Sequence, residues 1–148
     1  MLLHVTRNEE TALVRISGKV GWENSRVLDR QVETLVQAGA RRLVFHLAEV
    51  DFLSSGAIGV ISYNWRRMKE LEGELLVVEP NDYVVYLFRS VGFLRVFEGR
   101  ILASLEDLDA HLAKAGRPPM ASVPGDKWES IDSSFDDDDE LSYREDQP

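Results

Sequence analysis

The stretch AEVDFLSSGAIGVI, residues 48–61, holds the side chains best placed for chemistry in this sequence. An apolar run ends at Leu53, two serines and a glycine follow, and a second apolar run begins at once. A serine hydroxyl in such a place can cap a helix, attack a substrate as a nucleophile, or accept a phosphoryl group. The neighbouring residues decide among these three roles.

The structural role of the two serines is the most frequent one for this pattern. Ser54-Ser55 lies where a predicted buried strand is followed by a predicted amphipathic helix. Serine is a preferred N-cap because its hydroxyl accepts a hydrogen bond from a free backbone N–H of the first helical turn. Gly56 and Gly59 would allow the start of that helix to pack closely against neighbouring backbone.

The same position also favours a regulatory role. In open α/β sheets, ligands and partners meet the loops at the carboxyl ends of the strands. A serine at the start of the following helix is near the positive end of the helix dipole, where backbone amides stabilise a phosphate. Phosphorylation would place roughly −1.5 to −2 charges in a docking surface and repel an apolar or acidic partner. A phosphorylated serine at this position would therefore act as a reversible switch, which is the alternative to the structural role.

Catalysis by these serines ranks last among the alternatives. A nucleophile elbow requires a glycine two residues before the serine, and neither Ser54 nor Ser55 has one. A catalytic triad also needs a histidine. His46 falls in a predicted strand, His111 falls in the last predicted helix, and His4 is near the amino terminus. We expect a protein that is not an enzyme.

Strands and helices alternate along the first 116 residues. Short runs rich in β-formers predict strands at 2–6, 11–20, 41–47, 74–79 and 95–99. Apolar residues at helical spacing, with capping residues before them and glycines after them, predict helices at 22–39, 56–73, 81–92 and 104–116. Outside the serine junction, the candidate caps are Asn24 or Ser25, Asn81 or Asp82, and Ser104. This order predicts an α/β fold with a mixed, mostly parallel sheet of four to five strands and about four covering helices.

The composition excludes several classes of protein. The 148 residues include no cysteine, so disulfides, thiol nucleophiles and thiolate metal sites are excluded. The first residues do not have the pattern of a secretory signal, and no apolar run approaches the roughly 18 residues of a membrane span. The net charge of −9 disfavours binding to nucleic acid. We expect a cytoplasmic protein without a membrane span, cofactor or metal.

The amino-acid composition of the chain changes after Gly116. From Arg117 to Pro148 the sequence holds ten acidic and three basic residues, so this stretch carries −7 of the total charge. It is rich in proline and serine and has no sustained periodicity, which predicts a folded domain at 1–116 and a disordered acidic tail at 117–148. The tail could solubilise the protein, bind a basic partner groove through its aromatic residues, or mask the docking face.

The segments resemble, in order, those of a STAS domain of the anti-sigma factor antagonist type. The run VRISGKVGWENSRVLDRQVETL resembles the opening strand, glycine and first helix of that family, with Gly18 at the usual glycine and Asn24 near the usual helix start. The run RRLVFHLAEVDFLSSGAIGVISYNWRRMKELEGELLVVEPNDYVVYLFRSVGFLRVFEG resembles the strand, serine loop and elements that follow. The resemblance covers roughly residues 2–115, and it implies the STAS-type fold.

The resemblance also implies which residues bind a partner. The family's loop typically reads Asp-Ser-(Ser/Thr/Ala)-Gly-(Leu/Ile)-Gly. Aligned on Ile58-Gly59, Ser55 takes the place of the phosphorylated serine, and Ser54 stands where the family has aspartate. The implied phosphorylation site is Ser55. The implied docking residues are Ser54, Ser55, Gly56, Ile58, Gly59, Gly21, Trp22 and Asn24.

The function implied by the resemblance is that of an anti-sigma factor antagonist. Such a protein binds an anti-sigma factor that is a serine kinase of the ATP-binding type, and so releases a sigma factor. Phosphorylation of the loop serine ends the binding, and a phosphatase restores it. The alternative is a STAS interaction or scaffold module that is not phosphorylated, for example a subunit of a lipid or anion transport system.

Overall fold

A computed structural model describes residues 1–120 and the strand formed by residues 128–132. The strands are β1 (Leu2–Asn8), β2 (Thr11–Val20), β3 (Arg42–Leu53), β4 (Glu74–Val78), β5 (Ile101–Leu102) and β6 (Trp128–Asp132). The helices are α1 (Asn24–Gln37), α2 (Ser55–Glu70), α3 (Asp82–Ser90), α4 (Phe93–Val96) and α5 (Leu105–Lys114). Within the described residues, no helix is sufficiently long and apolar to cross a membrane.

One mixed sheet organises the domain. Its strand order is β5-β4-β3-β2-β1-β6. Strands β2, β3, β4 and β5 are parallel to one another, whereas β1 is antiparallel to both β2 and β6. The predicted α/β class and the mixed, mostly parallel sheet are confirmed. Because β2, β3 and β4 run in the same direction, the helices α1, α2 and α3 that follow them all begin at one edge of the sheet.

Two apolar clusters cover the two faces of the sheet. On one face, Leu43, Phe45 and Leu47 of β3 lie in the larger cluster, which also contains buried residues of α1, α2 and α3. On the other face, Val44 of β3 lies in a smaller cluster with Leu112 of α5. A strand that is apolar on both faces is typical of a central parallel strand covered on both sides. Packing on both faces holds β3 in place, and it therefore also positions Ser54 and the start of α2, which follow β3 directly.

The prediction of a strand at 95–99 was wrong. That stretch contains the end of α4 and a turn, and the strand at this sheet edge is instead β5. Phe93 and Phe97 are four residues apart, so one helical turn brings both rings against the same part of the core. Their centroids lie 5.0 Å apart, and both rings also contact Phe88 of α3. Packing of these rings outweighs the local preference of the sequence for extended structure.

The structure differs from the predicted tail in two places. Contacts continue beyond residue 116, because the Met120 side chain is buried and its backbone N–H donates to Asp109 Oδ1 at 2.7 Å. Farther on, residues 128–132 form β6, which pairs with β1 from Thr6↔Trp128 to Leu2↔Asp132. An edge strand such as β1 offers a row of backbone groups, and a segment of the same chain can pair with them despite its polar composition. The acidic run at 136–140 lies outside the described residues.

Candidate functional site

Ser54 is a structural residue at the junction between β3 and α2. It is the N-cap of α2, with extended backbone angles, and its Oγ accepts a hydrogen bond from the Ala57 N–H at 3.2 Å. Its own N–H donates to the Val20 carbonyl at the end of β2, at 2.9 Å. Ser54 therefore satisfies a free amide of the first turn and joins the junction to the neighbouring strand.

Ser55 is the first residue of α2, and it is exposed. No acidic residue lies in the first turn of this 16-residue helix, so no carboxylate there already compensates the positive end of its dipole. Because Ser54 takes the capping role, the Ser55 hydroxyl is not the cap of α2. An exposed hydroxyl at a helix N-terminus is chemically suited to carry a phosphate.

Gly56 allows the loop after β2 to close over the start of α2. A Cβ at Gly56 would lie 2.8 Å from Trp22 Cε3 and 2.8 Å from Ser25 Oγ. The Ser25 hydroxyl donates to the Trp22 carbonyl at 2.6 Å, which holds this loop in place. The Trp22 ring therefore lies against the Gly56 backbone while 66% of its surface remains exposed. The structure thus brings together the two predicted segments, 21–24 and 54–59.

Of the remaining predicted docking residues, Gly59 is exposed and the other three are half-buried. Ile58 is half-buried and packs against the core, and Gly59 is exposed on α2 with open space around its α-carbon. Asn24 is the first residue of α1 and is half-buried, with Glu23 rather than Asn24 at the N-cap position. Gly21 is also half-buried. We call the surface formed by Trp22, Ser55, Gly56 and Gly59 the serine face.

Two residues at the start of α3, its N-cap Asn81 and Tyr83 of its first turn, hold the serine junction from the other side. The Tyr83 hydroxyl accepts from the Leu53 N–H at 3.0 Å. The amide of Asn81 donates to the carbonyls of Ala48 and Val50 at 3.2 and 2.7 Å, and its Oδ1 caps α3 by accepting from the Val84 N–H. Asn81 was predicted as a candidate cap, but its hydrogen bonds to β3 were not predicted. Those bonds join two segments that are more than 30 residues apart in the sequence.

An ion pair orients α1 relative to α2 below the serine face. The Arg67 guanidinium of α2 bonds both carboxylate oxygens of Glu33 on α1. The hydrogen bond from Arg67 is the main reason that the pKa of Glu33 lies below its ordinary value. The planar guanidinium gives this contact a defined direction as well as charge.

Two of the three histidines, His46 and His111, are held by carboxylates away from Ser55. His46 Nε2 lies 3.0 Å from Glu79 Oε2, and His111 Nε2 lies 2.9 Å from Glu74 Oε1. His46 precedes the end of β3 by seven residues, which is about 23 Å along a strand. Glu74 begins β4, at the sheet edge opposite to the serine face. This geometry provides no base for either serine from His46 or His111.

The chain belongs to the STAS domain family. The family model named STAS domain matches residues 3–108, which include β1 from its second residue and all of β2 to β5 and α1 to α4. A relative from Bordetella bronchiseptica, provisionally named anti-sigma factor antagonist BtrV, is 27% identical over 97 residues, covering 66% of this chain and 84% of the relative.

Solved structures share this fold at low sequence identity. The anti-sigma factor antagonist SpoIIAA in its unphosphorylated form superposes with a TM-score of 0.64 at 16% identity, covering 77% of this chain and 96% of SpoIIAA. The phosphorylated form of the Bacillus protein SpoIIAA gives 0.62 at 14% identity, with 74% and 98% covered. The mouse anion transporter Slc26a9 gives 0.63 at 12% identity, and the match covers 77% of this chain but 22% of the transporter. The STAS-type fold is therefore confirmed.

Proposed function

We propose that this STAS protein is an anti-sigma factor antagonist whose serine face binds an anti-sigma factor of the ATP-binding serine-kinase type. The observation that carries the proposal is the division of roles between the two serines. Ser54 caps α2, which leaves Ser55 exposed beside Trp22 on a surface with no acidic residue in the first helical turn. The provisional name of the Bordetella bronchiseptica relative supports the same function.

Phosphorylation of Ser55 would end the binding by adding charge to the centre of the serine face. The phosphate would be stabilised by the amides at the start of α2, so the fold would persist. An apolar or acidic partner surface would then face roughly two negative charges beside an exposed indole ring. A phosphatase that removes the group would restore the docking surface. The protein itself acts in this scheme by binding and not by catalysis.

The direct test measures binding of the full chain to anti-sigma factors of this kinase type encoded by the same genome. Incubation with the kinase and ATP should yield a phosphorylated peptide spanning residues 48–61, and Ser55→Ala should abolish it. Ser55→Asp should weaken binding by roughly tenfold or more, which corresponds to about 1.4 kcal/mol. Ser55→Ala is the matched control for loss of the hydroxyl without added charge. Unchanged binding by Ser55→Asp would refute the switch.

The second candidate is a STAS interaction module that is not phosphorylated. Ser54 stands where the family usually has aspartate, and this chain uses that position for a helix cap, so no carboxylate directly precedes Ser55. In that case the serine face would still bind a partner, but kinase and ATP would leave Ser55 unmodified. The phosphopeptide measurement therefore separates the two candidates.

A further inference from the structure

The direction of β6 determines where the last residues of the chain leave the sheet. Both β2 and β6 are antiparallel to β1, so β6 runs parallel to β2. The carboxyl end of β6 therefore points to the edge of the sheet at which β2 and β3 end. The serine face lies at that edge, because the loop after β2 carries Trp22 and the residue after β3 is the cap of α2.

The remaining chain is long enough to reach the serine face. Asp132 lies opposite Leu2, which pairs with Ser17, and β2 continues for three more residues to Val20. Along the strands this leaves about 10 Å to the end of β2, and three strand spacings from β6 to β3 add about 14 Å sideways. Sixteen residues follow Asp132, and an extended chain of that length spans about 50 Å.

The chemistry of this segment matches the serine face. Residues 133–148 contain a run of five acidic residues, 136–140, flanked by Phe135 and Leu141. The serine face presents the indole of Trp22, 66% exposed, beside the first turn of α2. The first turn of α2 contains no acidic residue, so the positive end of its helix dipole is directed to this region, whereas Glu23 occupies the N-cap position of α1.

We infer that residues 133–148 dock on the serine face of their own chain, with Phe135 or Leu141 against Trp22 and the acidic run beside the start of α2. Pairing of β6 with β1 shortens the tether between the segment and the serine face, and a short flexible tether gives an effective concentration in the millimolar range. The segment then competes with any external partner for Trp22 and Ser55. This consequence rests on the proposed function, whereas the contact itself does not.

A phosphate on Ser55 would expel the segment. Five carboxylates next to roughly two added negative charges repel one another, and the helix amides would then bind the phosphate in place of the acidic run. The docked state of the segment should therefore depend on the charge at Ser55.

The test uses the full chain without any partner, so its outcome is independent of the proposed function. The chain has no cysteine, so Ser142→Cys gives one unique attachment point for a nitroxide spin label. We expect selective loss of the NMR signals of the Trp22, Ser55 and Gly56 amides, and recovery of those signals when Ser55→Asp is added. Signals of α5 should be unaffected.

Two matched variants locate the cause of the contact. In an antiparallel strand, one of every two successive residues donates its backbone N–H to a given neighbouring strand. Proline has no N–H, so the double substitution Ser130→Pro and Ile131→Pro removes one backbone hydrogen bond from β6 to β1. This variant should restore the Trp22 signal. Replacing the five acidic residues at 136–140 by their amides should also restore it. Full-strength Trp22 and Ser55 signals in the labelled parent chain would overturn the inference, as would signal loss that persists in both variants.

Discussion

Single residues at the serine junction have separable effects on folding and on binding. Ser54→Ala should lower the free energy of unfolding by about 1 kcal/mol, because the Ala57 N–H loses its capping acceptor. Ser55→Ala should change it by less than about 0.5 kcal/mol, because this hydroxyl is exposed. Urea denaturation of both variants measures the difference. Equal losses would contradict the assignment of the cap to Ser54.

The two glycines of α2 provide a matched pair for the contact with Trp22. Gly56→Ala should cost about 1–3 kcal/mol, since a Cβ there meets both Trp22 Cε3 and Ser25 Oγ at 2.8 Å. Gly59→Ala should instead gain up to about 1 kcal/mol, because nothing lies within 4 Å and alanine favours a helix.

Thermal or urea unfolding of both glycine variants measures these opposite effects. Adding Trp22→Ala to Gly56→Ala should recover part of the loss, with Ser25 Oγ accounting for the rest. A Gly56→Ala variant as stable as Gly59→Ala would show that Trp22 does not pack at this position.

At the scale of elements, Asn81 joins the start of α3 to the end of β3. Asn81→Ser should keep a capping oxygen for the Val84 N–H but remove the amide that donates to the Ala48 and Val50 carbonyls. We expect a loss of about 1–3 kcal/mol in the free energy of unfolding. Ser104→Ala, which removes only the cap of α5, is the comparison, with about 1 kcal/mol expected. An Asn81→Ser variant as stable as wild type would show that the two bonds contribute nothing.

Local signals in the sequence predicted most elements and the serine junction. Capping residues and helical periodicity predicted α2, α3 and α5, and the observed caps Ser54, Asn81 and Ser104 are among the candidates, because a cap and its helix are neighbours in sequence. The cap of α1 differed, since Glu23 precedes Asn24 there. Neither α4 nor β6 was predicted. The rings of α4 pack on Phe88 of the preceding helix, a tertiary contact that outweighs the local preference for a strand, and β6 requires the free edge of β1 far away in the sequence.

The residues of the serine face were predicted from the sequence, but the packing of Trp22 against Gly56 was not. Ser55 and its neighbours followed from the junction and from the resemblance to the STAS family. The closure of Trp22 over Gly56 depends on two loops separated by more than 30 residues. The periodicity of either segment alone contains no information on such a contact.

For the molecule as a whole, Glu74 connects three elements and makes stability depend on pH. Its carboxylate bonds Arg42 Nε of β3 and His111 Nε2 of α5, both at 2.9 Å. Burial opposes the charged form, but the hydrogen bonds from Arg42 and His111 and their charges together hold the pKa of Glu74 below its ordinary value of 4.5.

The sign of this pH dependence follows from the lowered pKa. The unfolded chain takes up a proton at Glu74 near its ordinary pKa, before the folded protein does, so the stabilisation is complete above that pH. It decreases as the pH falls through the lower folded value. Urea unfolding from pH 7 into the acid range should therefore show a steeper loss for wild type than for Glu74→Gln. Parallel profiles would contradict this role of Glu74.

The pairing of β6 with β1 also has a consequence for how the protein behaves in concentrated solution. Without β6, the seven-residue β1 would be a bare sheet edge able to accept a strand from another molecule, whereas the opposite edge, β5, has only two residues. The covering segment has two acidic residues among five. A chain cut after residue 120 should accordingly associate edge to edge and scatter more light at high concentration than the intact chain. On this account the acidic end of the sequence helps to keep the protein monodisperse.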